Sequence, residues 1–478
     1  MNITNTSRLA KQAGAAGFLL IVMSGCATFS ADGGMSPVAD RVAAAIGKDV
    51  AKVGNEADAQ AIQTRVSELL SSPLTDEAAA QIALLNNRGL QAQYNSLGLS
   101  EAAYITASLP PNPTLSLERI SGSGILEIER RLAFDVLDLL TLPVRKKLGE
   151  TQFRAAQYGA VEATFRLAAE TRRAFYRAVA AKQIVAFLEE ALVSAEAAAD
   201  LTRSLGETGA ATRLDQARAA AYYADISNQV SEARLIAASE REALTRALGL
   251  WGDDAKFDLP VRLPNLPMQL EPVGNLEADA IRQRVDLVAA RHRLDATARA
   301  LGLTEATRFI SLLELSGISR TDRDGGSKST SQGFEVAIQI PIFDFGSVSV
   351  RRAKEIYMQA VNELTEMAIN ARSEVRDAYR AYNGFHEISL RYENEILPMG
   401  TIINEETLLK YNGMLVDAFE LLATARESIG MNIDAIEARR NFFIADVNFR
   451  NAMIAGEHFT GIPESGMALS TDNAGGDH

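Results

Sequence analysis

Residues 334–346 read Phe334-Glu-Val-Ala-Ile-Gln-Ile-Pro-Ile-Phe-Asp-Phe-Gly346. Phe334, Val336, Ile338, Ile340 and Ile342 share one face of a period-two pattern, with Glu335, Ala337 and Gln339 on the other, so a strand ending near Pro341 is expected. A different regime follows. No proline occurs between Pro341 and Pro398, none between Pro398 and Pro463, and none between Pro143 and Pro260, in stretches rich in Ala, Leu, Glu and Arg. Proline inside a helix costs about 3 kcal/mol, so gaps of this size predict very long helices.

The plan occurs twice. Ser96-Leu-Gly-Leu-Ser-Glu-Ala102 matches Ala300-Leu-Gly-Leu-Thr-Glu-Ala306, and at nearly the same offset Tyr176-Arg-Ala178 corresponds to Tyr379-Arg-Ala381 and Gly209 to Gly413. Each half, 84–258 and 276–456, then reads as a helix, two strands and two long helices. Between them the connector 259–275, with Leu259-Pro-Val-Arg-Leu-Pro-Asn-Leu-Pro267 and Pro272, cannot be helical throughout. In the first half, strands are expected near 105–117 and 125–139, on either side of a Ser121-Gly-Ser-Gly124 turn. There Leu126, Ile128, Leu132, Phe134 and Val136 oppose Glu127, Glu129, Arg131, Ala133 and Asp135, and Arg130 interrupts the apolar face. In the second half, strands are expected near 307–319 and 333–343, flanking a polar loop over 320–333.

The long helices are expected over 149–204, 212–248, 348–411 and 416–455, with turns at Gly206 to Gly209 and at Asn412-Gly413. At about 1.5 Å per residue the first two would be roughly 80 and 55 Å long. Such helices have no globular core to wrap and must pack as coiled coils, with alanine seams such as Ala195, Ala197 to Ala199, Ala217 and Ala219 to Ala221 allowing close approach. Pro398 interrupts the third and predicts a kink or break there.

Composition narrows the function. With 48 Lys and Arg against 61 Asp and Glu, a charge of −13 and no basic block, the chain is not built to neutralise nucleic-acid phosphates. A single cysteine, Cys26, excludes a disulfide framework and multi-cysteine metal or iron-sulfur sites, and 4 histidines argue against a His-rich centre. There is no G-x-S-x-G elbow or Walker A sequence, Gly122-Ser-Gly124 lacks a βαβ unit after it, and His386-Glu387 is followed by Leu at 390 where a zincin needs His. His292, His386, His458 and His478 are isolated, and Met399, Met414 and Met431 are spaced as helix-packing residues rather than a soft-metal relay. No cofactor, metal or enzymatic constellation is expected.

Residues 1–25 carry Arg8 and Lys11, no acid, and an apolar run from Ala13 to Met23, too short to span a bilayer, which reads as a signal peptide. Met23-Ser24-Gly25-Cys26 resembles the lipobox of bacterial lipoproteins, which implies acylation of Cys26, palmitate included, and Ala27 rather than Asp next to it implies delivery to the outer membrane. Loss of the leader leaves 46 basic against 61 acidic side chains, about −15. Residues 26–83 are expected to form the lipidated N-terminal segment and equatorial region, and 457–478 a partly disordered tail.

An apolar face opposite a charged one suits a half-buried sheet as well as a membrane wall. In a secreted lipoprotein without an apolar helix of ~18–20 residues, it points to a barrel wall facing lipid on one side and a lumen on the other. Four strands cannot close a barrel, which needs about eight, and open edges are forbidden in lipid. Several chains must share one barrel.

At this point the chain resembles the TolC family of outer-membrane efflux ducts, over roughly 84–456. Ile340-Pro-Ile-Phe-Asp-Phe-Gly346 is similar to the family's strand-to-helix junction, hydrophobic-Pro-x-Phe-Asp-x-Gly, carried here by Pro341, Phe343, Asp344 and Gly346. Leu109-Pro-Pro-Asn-Pro113 resembles the family's Pro-Asn-Pro lead-in to the first strand. The first-half junction departs from pattern, reading Leu140-Thr-Leu-Pro-Val-Arg-Lys-Lys147, with Arg351 and Arg352 as counterparts of its basic residues.

The resemblance implies a mainly α fold with a transmembrane β-barrel part: a homotrimer with a 12-stranded barrel, four strands per chain, and a long α-helical coiled-coil tunnel. It implies an exit duct of a tripartite efflux or type I secretion system, lipid-anchored in the outer membrane. The duct would passively conduct what an inner-membrane pump and a periplasmic adaptor, or membrane fusion protein, deliver. Partners would be these two, outer-membrane lipid and two further copies of the chain. The helix turns, with Gly206, Gly209, Gly413 and Met414, would be adaptor-contact tips, and acids beyond the second turn would ring the periplasmic aperture. Asp417 and Glu420 lie there, but Phe419 holds the usual spacing and Glu420 fits only with a one-residue insertion. Asp215 stands as far beyond Gly209 as Phe419 beyond Gly413, within reach of Arg213 or Arg218. Acids at these places also suit helix N-termini. The competing function, a periplasmic coiled-coil lipoprotein with a tethering role, has no use for four alternating strands.

Overall fold

The computed structural model describes residues 28–122, 125–270, 274–324 and 326–456. The expected signal peptide, Cys26, Pro272 and the tail 457–478 lie outside them. Three helices come first, α1 Ser36–Ile46, α2 Glu56–Leu70 and α3 Asp76–Asn86. Asn55 and Thr75 cap the last two by accepting N–H groups of Asp58 and Ala78. The first repeat continues with α4 Arg88–Ser108, β1 Thr114–Gly122, β2 Ile125–Asp135, α5 Val136–Glu207 and α6 Arg213–Leu248. The second has α7 Leu276–Gln283, α8 Val285–Ala306, β3 Leu312–Asp324, β4 Ser327–Gln339, α9 Ser347–Arg391, a π-turn Tyr392–Ile396, α10 Leu397–Asn412 and α11 Ala418–Ile454.

Three expectations need correction. The first strand begins at Thr114, not 105: hydroxyl bonds from Thr106 to the Ala102 carbonyl and from Ser108 to that of Tyr104 belong to the last turns of α4. Pro110, Pro111 and Pro113 then separate helix from strand. The segment 320–333 is not a loop, because the β3–β4 ladder runs on through Asp322↔Ser329 to Asp324↔Ser327. Backbone pairing does not require apolar side chains, and these Ser, Thr and charged residues alternate along a continuous ladder. The first strand-to-helix passage lies at Asp135/Val136, with no strand continuing to 139 and no helix start delayed to 149. Asp135 Oδ1 accepts the Asp138 N–H at 2.9 Å and starts α5, which carries Pro143 inside it. An Arg145–Asp138 ion pair at 2.9 Å spans that proline.

The expected break at Pro398 is present and has a specific form. The chain widens into the π-turn, where the Leu397 N–H reaches back to the Tyr392 carbonyl, and Pro398 falls within the first two positions of α10, where its missing donor costs least.

The chain divides into two compact units. One comprises the described residues up to Val38 with Gln93–Ala160 and Asp286–Met367; it contains the whole sheet. The four strands are antiparallel in the order β1-β2-β3-β4. The other unit takes Ala39–Ala92, Val161–Val285 and the chain from Ala368 onward. Its main core gathers Leu74 and Ile82 with Phe175, Tyr176, Leu244, Leu248, Val375, Tyr382, Phe442 and Phe449. Tyr176 stacks on Phe443 at 4.9 Å and Tyr382 on Phe449 at 5.4 Å. The described part of the connector, 259–270, holds no helix or strand, with Leu259 and Leu263 buried in this core, and Lys182 Nζ donates to the Leu259 carbonyl at 2.6 Å. A second cluster joins Leu188 and Ala195 of α5 to Tyr222, Ile226 and Val230 of α6 and Ile429 of α11. Of the alanine seams, Ala195 and Ala219 are buried, the close approach that small residues allow.

Candidate functional site

The sheet sorts its charges by face. Residues paired directly across an antiparallel ladder share a face, so the registers define two surfaces. One carries the carboxylates Glu118, Glu127, Glu129, Asp135, Glu314, Asp322, Asp324 and Glu335, with Arg131 and Arg320 set among them. Arg131 Nη2 meets Glu335 at 2.5 Å, and Arg320 meets Glu127 at 2.9 Å and Glu129 at 2.7 Å. Both guanidiniums are therefore consumed in ion pairs and an acidic excess remains. The opposite surface carries Leu115, Leu117, Leu132, Phe134, Leu315, Phe334, Val336 and Ile338, all exposed. A large exposed apolar sheet face is not a surface that water tolerates without a covering.

At the second junction, Asp344 Oδ1 accepts the Gly346 N–H at 3.1 Å and Oδ2 that of Val348 at 3.4 Å, which starts α9. Phe345 and Gly346 both have positive φ, and a Cβ on Gly346 would sit 2.3 Å from the Arg308 carbonyl oxygen. Phe343 points outward, 98% exposed, so the motif's Asp and Gly shape the turn while its aromatic residue is presented. Asp135 plays the part of Asp344 at the first junction. No Pro-x-Phe-Asp-x-Gly pattern surrounds Asp135, so the sequence carries no motif that marks it.

The helix turns lie in the other unit. At the first, Ala210 N–H reaches the Leu205 carbonyl at 2.8 Å and Gly209 has φ +81. At the second, Leu415 N–H reaches the Lys410 carbonyl at 2.9 Å, and the left-handed residue is Met414, φ 57, while Gly413 has φ −82. These are matching C-caps, so Gly209 corresponds to Met414 and not to Gly413. The N-caps follow the same register: Thr212 for α6 and Asp417 for α11. Asp215 then corresponds to Glu420, one residue beyond the pairing of Gly209 with Gly413. A Cβ on Gly206 would meet the terminal amide of Gln216, a flexible side chain that would have to move aside.

Among the described residues Asp215 has no ion pair with Arg213 or Arg218, though the Arg218 charge acts on it at longer range. Its Oδ2 accepts from the Thr212 hydroxyl at 2.6 Å and the Thr212 N–H at 3.1 Å in a capping box, and these bonds hold the carboxyl below its usual range. Arg218 instead lies 4.6 Å over the Phe419 ring. Asp417 Oδ1 accepts the Glu420 N–H at 3.0 Å. Glu420 is exposed and, among the described residues, in no ion pair. Met414, also exposed, packs in no helix interface.

Among the described residues no group of three His, Cys, Asp or Glu side chains could hold a metal. His386 is buried, its ring tilted against that of Phe442 with centroids 5.3 Å apart, and its Nε2 donates to the Pro267 carbonyl at 2.8 Å. His292 stacks on Tyr158 at 5.3 Å. Among the described residues no helix is long and apolar enough to cross a membrane.

Residues 276–388, which take in the second hairpin and its flanking helices, match the family of outer membrane efflux proteins. The fold is that of the TolC-family channels. The crystal structures of CusC, which describe transmembrane channel formation, superpose with a TM-score of 0.69 over 82% of this chain and 92% of that one, at 18% identity. Among curated relatives, Outer membrane protein OprJ of Pseudomonas aeruginosa is 28% identical over 317 residues, 62% of this chain and 60% of the relative. The Probable efflux pump outer membrane protein TtgC of Pseudomonas putida is 27% identical over 292 residues, 58% of this chain and 55% of the relative. The chain thus spans somewhat over half the length of these relatives. The family is one of channel and duct proteins rather than enzymes.

Proposed function

We propose that three copies of this chain form an outer-membrane exit duct that passively conducts substrate received from an inner-membrane pump through a periplasmic adaptor. The observation that carries the reading is the segregation of the sheet into an acidic, ion-paired face and an exposed apolar face. β1 and β4 each keep an unpaired edge, and lipid does not accept unpaired backbone groups. Three four-stranded sheets joined edge to edge remove every edge, put the apolar face to lipid and the carboxylates on the lumen. The likeness to an efflux pump outer membrane protein supports the same assignment.

The chain divides into signal peptide, lipidated segment, first repeat, connector, second repeat and tail, and Cys26 carries the lipid. Gly206, Gly209, Gly413 and Met414 mark the adaptor-facing tips, and Asp417, Glu420 and Asp215 are the aperture acids. Three-fold symmetry would bring copies of one carboxylate together as a cation-attracting ring. Lumen and ring together favour cationic substrates.

The full chain purified in detergent should have the mass of a trimer by light scattering and give cation-preferring conductance steps in planar bilayers. A monomer without conductance, also after Asp417→Asn with Glu420→Gln, would overturn the duct. Cys26→Ser should leave an unprocessed precursor mass; an unchanged mature mass removes the lipid anchor from the proposal.

A further inference from the structure

The apolar face of the sheet is graded along the strands. Counting rows from the helix-proximal end, Leu313 with Ile338, then Phe134 with Leu315 and Val336, then Leu115 with Leu132, Gly317 and Phe334 contain no polar side chain. The three rows nearest the hairpin turns hold Ser, Thr and Gln residues and every charge on this face: Arg130, Arg119, and the pair Arg323 and Lys328. All four are exposed cations, no carboxylate shares the face, and among the described residues none of them is in an ion pair. On the opposite face, by contrast, both guanidiniums are paired. Arg323 and Lys328 are direct cross-strand partners, an arrangement that is destabilising unless an anion lies against it.

We infer that these four residues form a belt that binds the phosphate-bearing headgroups of the surrounding membrane lipid at the hairpin end of the barrel. The inference rests on the barrel reading above, which makes this face the lipid-facing one. The apolar rows then match acyl chains, and the basic rows with their hydroxyl neighbours match the level where lipid phosphates begin. Arginine and lysine stems can lie along the apolar rows while their charged heads reach that level. An annulus of anionic lipid would relieve the Arg323–Lys328 repulsion and add charge-assisted hydrogen bonds.

The test uses the full chain in nanodiscs of phosphatidylcholine doped with phosphatidylglycerol, with retained lipid read by native mass spectrometry. Retained phosphatidylglycerol should exceed its input fraction. Each cation near an anionic surface contributes on the order of fivefold in lipid preference, so R119Q/R130Q/R323Q/K328Q should return the ratio to input. R119K/R130K/R323K should keep the enrichment, which separates charge from folding. A fluorophore on Val336→Cys, challenged with brominated lipid and with a water-soluble quencher, tests the barrel independently. Lipid quenching with undiminished enrichment in the four-fold variant overturns the belt alone. Quenching only from water overturns belt and barrel together.

Discussion

Gly209 and Met414 hold the same left-handed position at two corresponding helix turns, with φ of 81 and 57. Only the first is a glycine. A side chain in that conformation costs about 1–2 kcal/mol, and Met414 bears it while Gly413, at φ −82, is under no such demand. Met414→Gly should therefore stabilise the second turn by about 1 kcal/mol and Gly209→Ala destabilise the first by a similar amount. Gly413→Ala should change little. Amide hydrogen exchange over 405–425 and 200–215 reads the three variants, and an equal response to Gly413→Ala and Gly209→Ala would contradict the register.

Gly346 is constrained twice, by its φ of +70 and by the Arg308 carbonyl oxygen 2.3 Å from where a Cβ would be. Backbone cannot yield as a side-chain tip can. Gly346→Ala should lower stability by about 2 kcal/mol or more and reduce the yield of assembled protein, whereas Gly317→Ala, which meets nothing within 4 Å, should be tolerated. Thermal melts in detergent compare the two.

The strands' faces were legible because Phe334 to Ile340 and, apart from Arg130, Leu126 to Phe134 keep an apolar residue at every second position, and the long helices because proline occurs in them only near their starts, at Pro143 and Pro398. The outer ends of β3 and β4 were not, since Ser327 to Gln332 offers no apolar alternation and a ladder of backbone bonds leaves no trace in composition. At the tips, glycine is the residue type that marks a left-handed conformation in a sequence. The fold placed that residue on Met414, so the correct pairing of Asp215 with Glu420 required dihedral angles. The asymmetry of charge between the two sheet faces was likewise hidden until register joined residues from four strands.

Glu77 lies between Lys48 and Arg172, whose contacts measure 2.5 and 2.7 Å. Burial pushes its carboxyl up, but the Lys48 bond and the two cationic charges outweigh burial and hold it below the usual 4.5. A depressed folded pKa stabilises above the unfolded value, and that contribution is lost as pH falls through the folded one. Glu77→Gln should thus lower stability at neutral pH by on the order of 0.5–1 kcal/mol, solvent screening included, and the gap to the native chain should close below the carboxylate range. Melting curves from pH 7 to 3 check it; a gap that widens on acidification refutes the assignment.

Asp417 and Glu420 are separable because they do different things at the same helix start. Asp417 spends Oδ1 on the Glu420 N–H, which makes it the cap of α11, while the Glu420 carboxylate is free to face an ion. Asn caps as well as Asp, so Asp417→Asn should leave stability and most of the selectivity intact, whereas Asp417→Ala should cost about 1 kcal/mol at the helix start. Glu420→Gln should leave melting unchanged and reduce the cation-over-anion permeability ratio several-fold, since three copies of the charge vanish from one ring. None of these substitutions touches the Arg218 contact with the Phe419 ring. Reversal potentials in asymmetric KCl measure the ratio. If Asp417→Asn shifts them as far as Glu420→Gln does, the ring is not set by Glu420 alone, and the cap and the aperture share one carboxylate.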